Sequence, residues 1–266
     1  MNWILTLNKR RLLHFFGTWY VIWFAVGLFS IGFQWPSVFF HIEDMLFMVL
    51  AGIVLLLEAS IRLGWQTTLK LFLWIAGFSG LVEYIGATTG FPFGDYVYTH
   101  SFGPRLAGEL PIAIPFAWWV VVFPLHLFWS TVFRRHVALM LLVPVCVGLS
   151  AVAIDLALEP VATIGRSYWL WSGDNGIYYG VPLSNFIAWF CVATLISVGL
   201  KLIAGSDLRH AYKRRGAFLI PIGVLLAVLL SFLVGALVAK LWLAVGVILL
   251  NCSLLVIAAR YEDAGD

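Results

Sequence analysis

Charge is what this sequence lacks. Only 11% of its 266 residues are Asp, Glu, Lys or Arg, while 62% are hydrophobic, and the mean hydropathy is +0.99. Soluble domains carry about a quarter charged residues, so this composition excludes one and indicates a multi-spanning membrane protein. Histidine is scarce too. Six scattered residues without HxxxH or HxxHH spacing argue against a membrane di-iron hydroxylase or desaturase. The three cysteines, Cys146, Cys191 and Cys252, fall in apolar runs without CxxC spacing, so they read as small buried packing residues. No GxGxxG follows a strand, which removes the flavin or nicotinamide fingerprint. No paired Asp-rich motif suits a magnesium diphosphate, and no GxSxG suits acyl hydrolysis. No metal site is expected. No cleavable leader is expected either, because Lys9-Arg10-Arg11 leads into a full-length span without a small-residue cleavage site.

Long apolar runs are what the sequence has. A helix needs about 20 apolar residues to cross a bilayer, and eight runs qualify, at about 16–34, 44–63, 69–90, 111–133, 137–159, 182–204, 217–238 and 241–260. Their length and continuity predict helices rather than barrel strands. The expected fold class is therefore all-α, a polytopic membrane helical bundle of about eight transmembrane helices, forming one integral membrane domain over 1–266. Thirteen of the 16 basic residues fall on alternate connections, leaving Arg105, Arg166 and Lys240 on the other side. The positive-inside rule then puts both termini in the cytoplasm, in the cytoplasmic membrane. The net charge of +3 reflects this topology, and no nucleic-acid partner is expected.

The acids show the opposite bias. Glu43, Asp44, Asp95, Glu109 and Asp174 fall in outer connections, and Glu83, Asp155 and Glu159 in the outer halves of spans. At 1.5 Å per residue Glu83 lies roughly 10 Å below Gly90, and Asp155 roughly 8 Å below Pro160. Each acid-bearing helix exits through a Gly/Pro/aromatic loop, Phe91 to Tyr98 in one case and Trp169 to Pro182 in the other. Carboxyl groups in hydrocarbon are costly and point to function. Other polar residues look structural: Glu58 and Arg62 as a helix-surface i,i+4 pair, His126 as a hydrogen-bonded packing residue, and Gly86/Gly90 as a GxxxG helix contact.

What remains is acid–base chemistry in an apolar, aromatic pocket. Apolar surroundings disfavour an ionised carboxylate, and a second carboxylate nearby adds to that. A protonated acid near neutral pH can donate to a weak base. In a bilayer, a carbon–carbon double bond is such a base. Protonating a trisubstituted alkene gives a tertiary cation, which aromatic faces stabilise. Phe91, Phe93, Tyr96, Tyr98, Trp169, Trp171, Tyr178 and Tyr179 supply such faces in the two loops, although an interfacial aromatic belt would use the same residue types.

The motifs then run in a recognisable order. They are Glu83-x-x-Gly86-x-x-x-Gly90-x-Pro92-Phe93-Gly94-x-Tyr96-x-Tyr98, Gly108-x-x-Pro111-x-x-x-Pro115-x-x-Trp118, Asp155-x-x-x-Glu159-Pro160, Trp169-x-Trp171, and Tyr178-Tyr179-Gly180-Val181-Pro182-x-x-Asn185-Phe186-x-x-Trp189. Over roughly residues 80 to 190 the chain resembles the membrane carotenoid biosynthesis proteins that include the carotenoid 1,2-hydratases. It departs from that pattern at Glu159, where Asp is common, and at Ala188, where Gly is common. The resemblance implies addition of water across the terminal double bond of an acyclic ψ-end group, with no cofactor or metal. It implies a lipophilic carotenoid substrate drawn from the bilayer, water as co-substrate, and membrane lipids and neighbouring carotenoid-pathway enzymes as partners.

The candidate catalytic residues are Asp155, Glu83, Glu159 and Asn185. Asp155 is the preferred proton donor, Glu83 the holder of the attacking water and Asn185 its orienter, with the two acids' roles open to exchange. Candidate substrate-binding residues are Tyr84, Phe93, Tyr96, Tyr98, Trp118, Trp169, Trp171, Tyr178, Tyr179 and Trp189. The rival readings are a proton-coupled transporter using the buried carboxyl groups, which would show inverted repeats and broken helices, and a non-catalytic assembly or lipid-binding subunit.

Overall fold

The structure, a computed structural model, describes residues 2–35, 42–134, 136–172, 176–213 and 216–263, with the side chains of 2–6, 137 and 258–263 excepted. Asp174, Arg135, Arg214 and Arg215, and the side chain of Arg260, lie outside the described residues.

Among the described residues eight helices form a bundle: α1 (Asn2–Gly32), α2 (Glu43–Leu63), α3 (Trp65–Thr89), α4 (Ala113–Val132), α5 (Val143–Pro160), α6 (Leu183–Ala211), α7 (Leu219–Val238) and α8 (Trp242–Asp263). Seven are long and apolar enough to cross a membrane, and α8 carries a shorter apolar stretch, Trp242–Ile257. The chain is thus an all-α membrane bundle, as expected. Three boundaries differ from the apolar runs. Helix α1 begins well before residue 16 because basic side chains can lie along a helix while their charges reach a polar partner; Lys9 Nζ donates to Ser60 O at 2.9 Å. A 3₁₀ turn over Val137–Leu141 precedes α5, and α6 continues through the polar segment to Ala211, with a kink at Ala204.

Helix α4 is the centre of the bundle, with Trp118 and Trp119 almost completely buried. Close contacts around it use missing side chains. A Cβ at Gly199 would collide with the Trp74 indole, whose Nε1 donates to Ile196 O at 3.0 Å, joining α3 to α6. Gly148 brings α5 equally close to Phe190 and Thr194 of α6. His126 is buried and hydrogen-bonded to Ser197 at 2.8 Å, the packing role its position suggests.

Three structural expectations change. Glu58 is not on the helix surface. It is buried, and besides its ion pair with Arg62 it accepts the Tyr212 hydroxyl from the end of α6. Charge inside hydrocarbon needs more than one partner, and this trio ties α2 to α6. Replacing Tyr212 by Phe strips the donor from a buried carboxylate oxygen, which costs about 1–3 kcal/mol. Thermal unfolding of Tyr212→Phe should show a midpoint several degrees lower; an unchanged midpoint would deny the hydroxyl a stabilising part. Cys191 is exposed and Cys146 and Cys252 half-buried, because a lipid-facing surface accepts small apolar residues as readily as a core does. Finally, Gly86 and Gly90 do not seat another helix. A Cβ at Gly86 would strike Phe93 at 2.6 Å, and Gly90 ends α3 with a left-handed φ of 76°. Both glycines fold the following loop back over α3.

Among the described residues four short strands lie in the loops at one end of the bundle: β1 (Tyr96–Tyr98), β2 (Arg105–Leu106), β3 (Leu110–Pro111) and β4 (Trp169–Trp171). They pair as β2 with β3 and β4 with β1, both antiparallel. The two aromatic loops therefore meet on one side of the bundle.

Candidate active site

The β1–β4 ladder pairs Tyr96 with Trp171, Val97 with Leu170 and Tyr98 with Trp169. Successive residues of a strand face opposite ways. Val97 and Leu170 accordingly point outward, at 57% and 52% exposure, while the two tyrosines and two tryptophans face the bundle. Tyr-x-Tyr and Trp-x-Trp are thus two halves of one four-ring surface, with Tyr96 and Trp171 rings 5.2 Å apart.

The polar tips of these rings serve the acids beneath them. Tyr96 and Tyr98 hydroxyls each donate to Glu83 Oε2 at 2.9 Å, and Trp118 Nε1 donates to Glu83 Oε1 at 2.9 Å. Trp171 and Trp169 donate to Glu159 Oε2 at 3.1 and 3.2 Å. Each strand therefore holds one glutamate. Burial first, and the Glu83 charge second, push the Tyr96 and Tyr98 phenols well above their ordinary value, so both remain hydroxyl donors at working pH.

Asp155 lies one helical turn before Glu159, and Asn185 of α6 bridges them. Asn185 Nδ2 donates to Asp155 Oδ2 at 2.7 Å and to Glu159 Oε1 at 3.3 Å. Among the described residues no donor reaches Asp155 Oδ1. Both glutamates receive three donors each, whereas Asp155 receives one. An acid inside a membrane helix costs about 3 kcal/mol, and hydrogen bonds offset that cost for the glutamates more fully than for Asp155.

Helix α5 itself is shaped around these acids. Pro160 has no N–H to offer Leu156 O, and the Tyr178 hydroxyl takes that place at 3.0 Å. The chain then continues beyond Pro160 as a π turn, Val161–Gly165, rather than stopping there, and Arg166 N–H closes it onto Val161 O.

Glu83, Asp155, Glu159 and Asn185 line one cavity of about 120 Å³. Of the ten expected substrate-binding residues, Phe93, Tyr96, Tyr98, Trp118, Trp169, Trp171 and Trp189 line it as well. Trp118 and Trp189 stack there with centroids 4.3 Å apart. Tyr84, Tyr178 and Tyr179 do not line it. Tyr84 faces out from α3 at 39% exposure, Tyr178 completes the α5 hydrogen bonding, and Tyr179 packs edge-on against Tyr178.

The rest of the wall was not marked by the motifs. Much of it comes from α1, α2 and α7, through residues such as Phe24, Phe47 and Phe232, which look like any lipid-facing residues in the sequence. Arg166 and Asp44 also line the cavity and pair with each other, and Arg166 Nε donates to the Tyr168 hydroxyl at 3.2 Å. Arg166 is one of only three basic residues on its side of the chain, and that rarity was the available signal.

A family model described as "Carotenoid biosynthesis protein" matches residues 43–255, which contain Glu83, Asp155, Glu159 and Asn185. Over 108 residues the chain is 26% identical to the bisanhydrobacterioruberin hydratase of Haloarcula japonica. That stretch is 41% of this chain and 36% of the relative, so the match spans about a third of the relative's length. No solved structure matches. With far more than half of its length under the family model, the chain belongs to the carotenoid biosynthesis protein family.

Proposed function

We propose that this protein is a carotenoid 1,2-hydratase, a hydro-lyase acting in the direction of water addition on the terminal C1–C2 double bond of an acyclic ψ-end group. The observation that carries this reading is the uneven sharing of donors. Glu83, Asp155 and Glu159 line one aromatic cavity, and of these three only Asp155 has an oxygen that no donor among the described residues reaches. In this reading Asp155 holds the transferable proton at Oδ1. The proton passes to C2 as the alkene π pair forms the new C–H bond, leaving a tertiary cation at C1. The stacked Trp118 and Trp189 and the four-ring surface give that cation aromatic faces, a geometry that stabilises positive charge. A water held at Glu83 then gives its oxygen lone pair to C1, and Glu83 takes the released proton. Proton return from Glu83 to Asp155 restores the starting state. Every electron pair is accounted for without an oxidant or reductant.

The surrounding elements suit the same reading. Glu159, fixed by two indoles, anchors Asn185, which in turn orients Asp155. We place the carboxyl groups in the outer leaflet of the cytoplasmic membrane, with both termini inside, on the asymmetry of basic residues. There the polyene arrives from hydrocarbon and water from the loop side, and the new hydroxyl favours departure toward the interface.

The test is co-expression with a lycopene-producing pathway in medium enriched in heavy-oxygen water. The expected product carries one added water per reacted end, with the heavy oxygen in a tertiary alcohol. Unchanged pigment at good protein levels would overturn the hydratase reading, and oxygen drawn from dissolved gas instead of water would replace it with an oxidation.

A further inference from the structure

The cavity that holds the carboxyl groups is too small for a carotenoid. A dry cavity of roughly 150 Å³ takes one benzene ring. By that measure a cavity of about 120 Å³ holds about five carbons, which is one branched isoprenoid unit. The remainder of a polyene therefore needs a continuous path from the carboxyl groups into hydrocarbon.

Helices α1 and α7 border such a path, with Phe24, Gly27, Ser231 and Phe232 on the cavity wall. Two α1–α7 contacts bracket it. At one, the Tyr20 hydroxyl donates to Val224 O at 3.3 Å; at the other, a side chain at Gly32 would meet Val234 at 3.8 Å. The α7 residues between these levels rise about 15 Å. Gly27 and Ser231 fall inside that interval, and a Cβ added at Gly27 would meet no protein atom within 4 Å. Helix α1 is also the most peripheral part of the bundle, its apolar stretch only 6% buried. The Asp44–Arg166 ion pair also lines the cavity.

We infer that the interval between α1 and α7 is a lateral window through which a long apolar polyene enters from the bilayer, one end at a time. The chain stays threaded between Gly27 and Ser231 while its terminal unit reaches Asp155. This inference rests on the carotenoid reading above and adds the route and the single-end mode of binding. A carotenoid with two reactive ends must leave the window, turn and re-enter to react twice.

The test uses the full chain in lipid nanodiscs with lycopene, comparing Gly27→Phe and Ser231→Phe with the unaltered protein. Gly17→Phe is the control, since Gly17 also has no protein atom within 4 Å of an added Cβ but lies outside the cavity wall. One readout is circular dichroism in the visible band, which an achiral polyene gains only in a chiral site. The other is the rate of hydrate formation. The window variants are expected to lose the dichroism and at least about tenfold in rate, a steric cost of the size that overpacking brings, with unchanged melting midpoints, while the control keeps both. Where Phe lowers the midpoint, Gly27→Val and Ser231→Leu take its place. Wild-type dichroism in both window variants, or no dichroism in the unaltered protein, overturns the window. Dichroism that is lost in the variants, with no hydrate formed by the unaltered protein, supports the window and overturns the hydratase reading instead.

Discussion

Asp155→Asn is expected to lower hydration about 10²- to 10⁴-fold, the range typical of losing a general acid. At 1.36 kcal/mol per decade this is roughly 3–5 kcal/mol of barrier. The substitution is close to neutral for the fold. Asp155 makes one protein hydrogen bond, accepting from Asn185 Nδ2, and the new amide oxygen can accept it equally well. The amide nitrogen then occupies the site of Oδ1, where no protein donor would oppose it. Only the transferable proton is lost. The measurement is the initial rate of hydrate formation per unit of protein in membranes supplied with lycopene, alongside the melting midpoint. Near-normal hydration would remove Asp155 from the proton-transfer step and leave it a structural partner of Asn185.

Glu83→Gln should bring a loss of similar size, again about 10²- to 10⁴-fold, for a different reason. Glu83 faces one donor that cannot reverse, the Trp118 indole, and two phenol hydroxyls that can. A glutamine can give its oxygen to Trp118 and its nitrogen to the tyrosine oxygens, so the loops stay in place. The amide cannot take a proton from the attacking water, however. Glu159 offers no such swap, because its partners are two indoles and the Asn185 amide, all donating. Rates are read as for Asp155, and solvent-isotope sensitivity separates the two steps. Full activity in Glu83→Gln would assign water activation elsewhere and leave Glu83 as the post on which β1 hangs.

Much of this was legible in the sequence, and the reasons are physical. Helices show because apolar length is the requirement for crossing a bilayer, so every run from residue 44 to 238 marks a helix. Helix ends show less well where a helix outlasts its apolar run, as α1 does at Lys9 and α6 at Ala211. Glu83, Asp155 and Glu159 show because acids are rare in such runs. Their distinct hydrogen bonding does not, because it depends on Tyr98 meeting Trp169 across the chain, a register that no local pattern encodes. Residues such as Gly27 and Ser231 are silent for the opposite reason. An apolar or small residue beside a cavity and one beside lipid satisfy the same constraint.

The two-stranded ladder over the site has a mechanical consequence. A strand's faces alternate, so a slip of one residue exchanges them completely. Slipped once, β1 would turn Val97 toward the bundle and carry both phenols into solvent, and β4 would do the same with Leu170 and both indoles. No intermediate registration leaves a glutamate with half of its strand's donors. The site therefore responds to damage in its loops as a latch does, engaged or released, and a weakened loop tie such as Ser184 to the Phe93 carbonyl would divide the molecules into competent and incompetent populations without making each one a little slower.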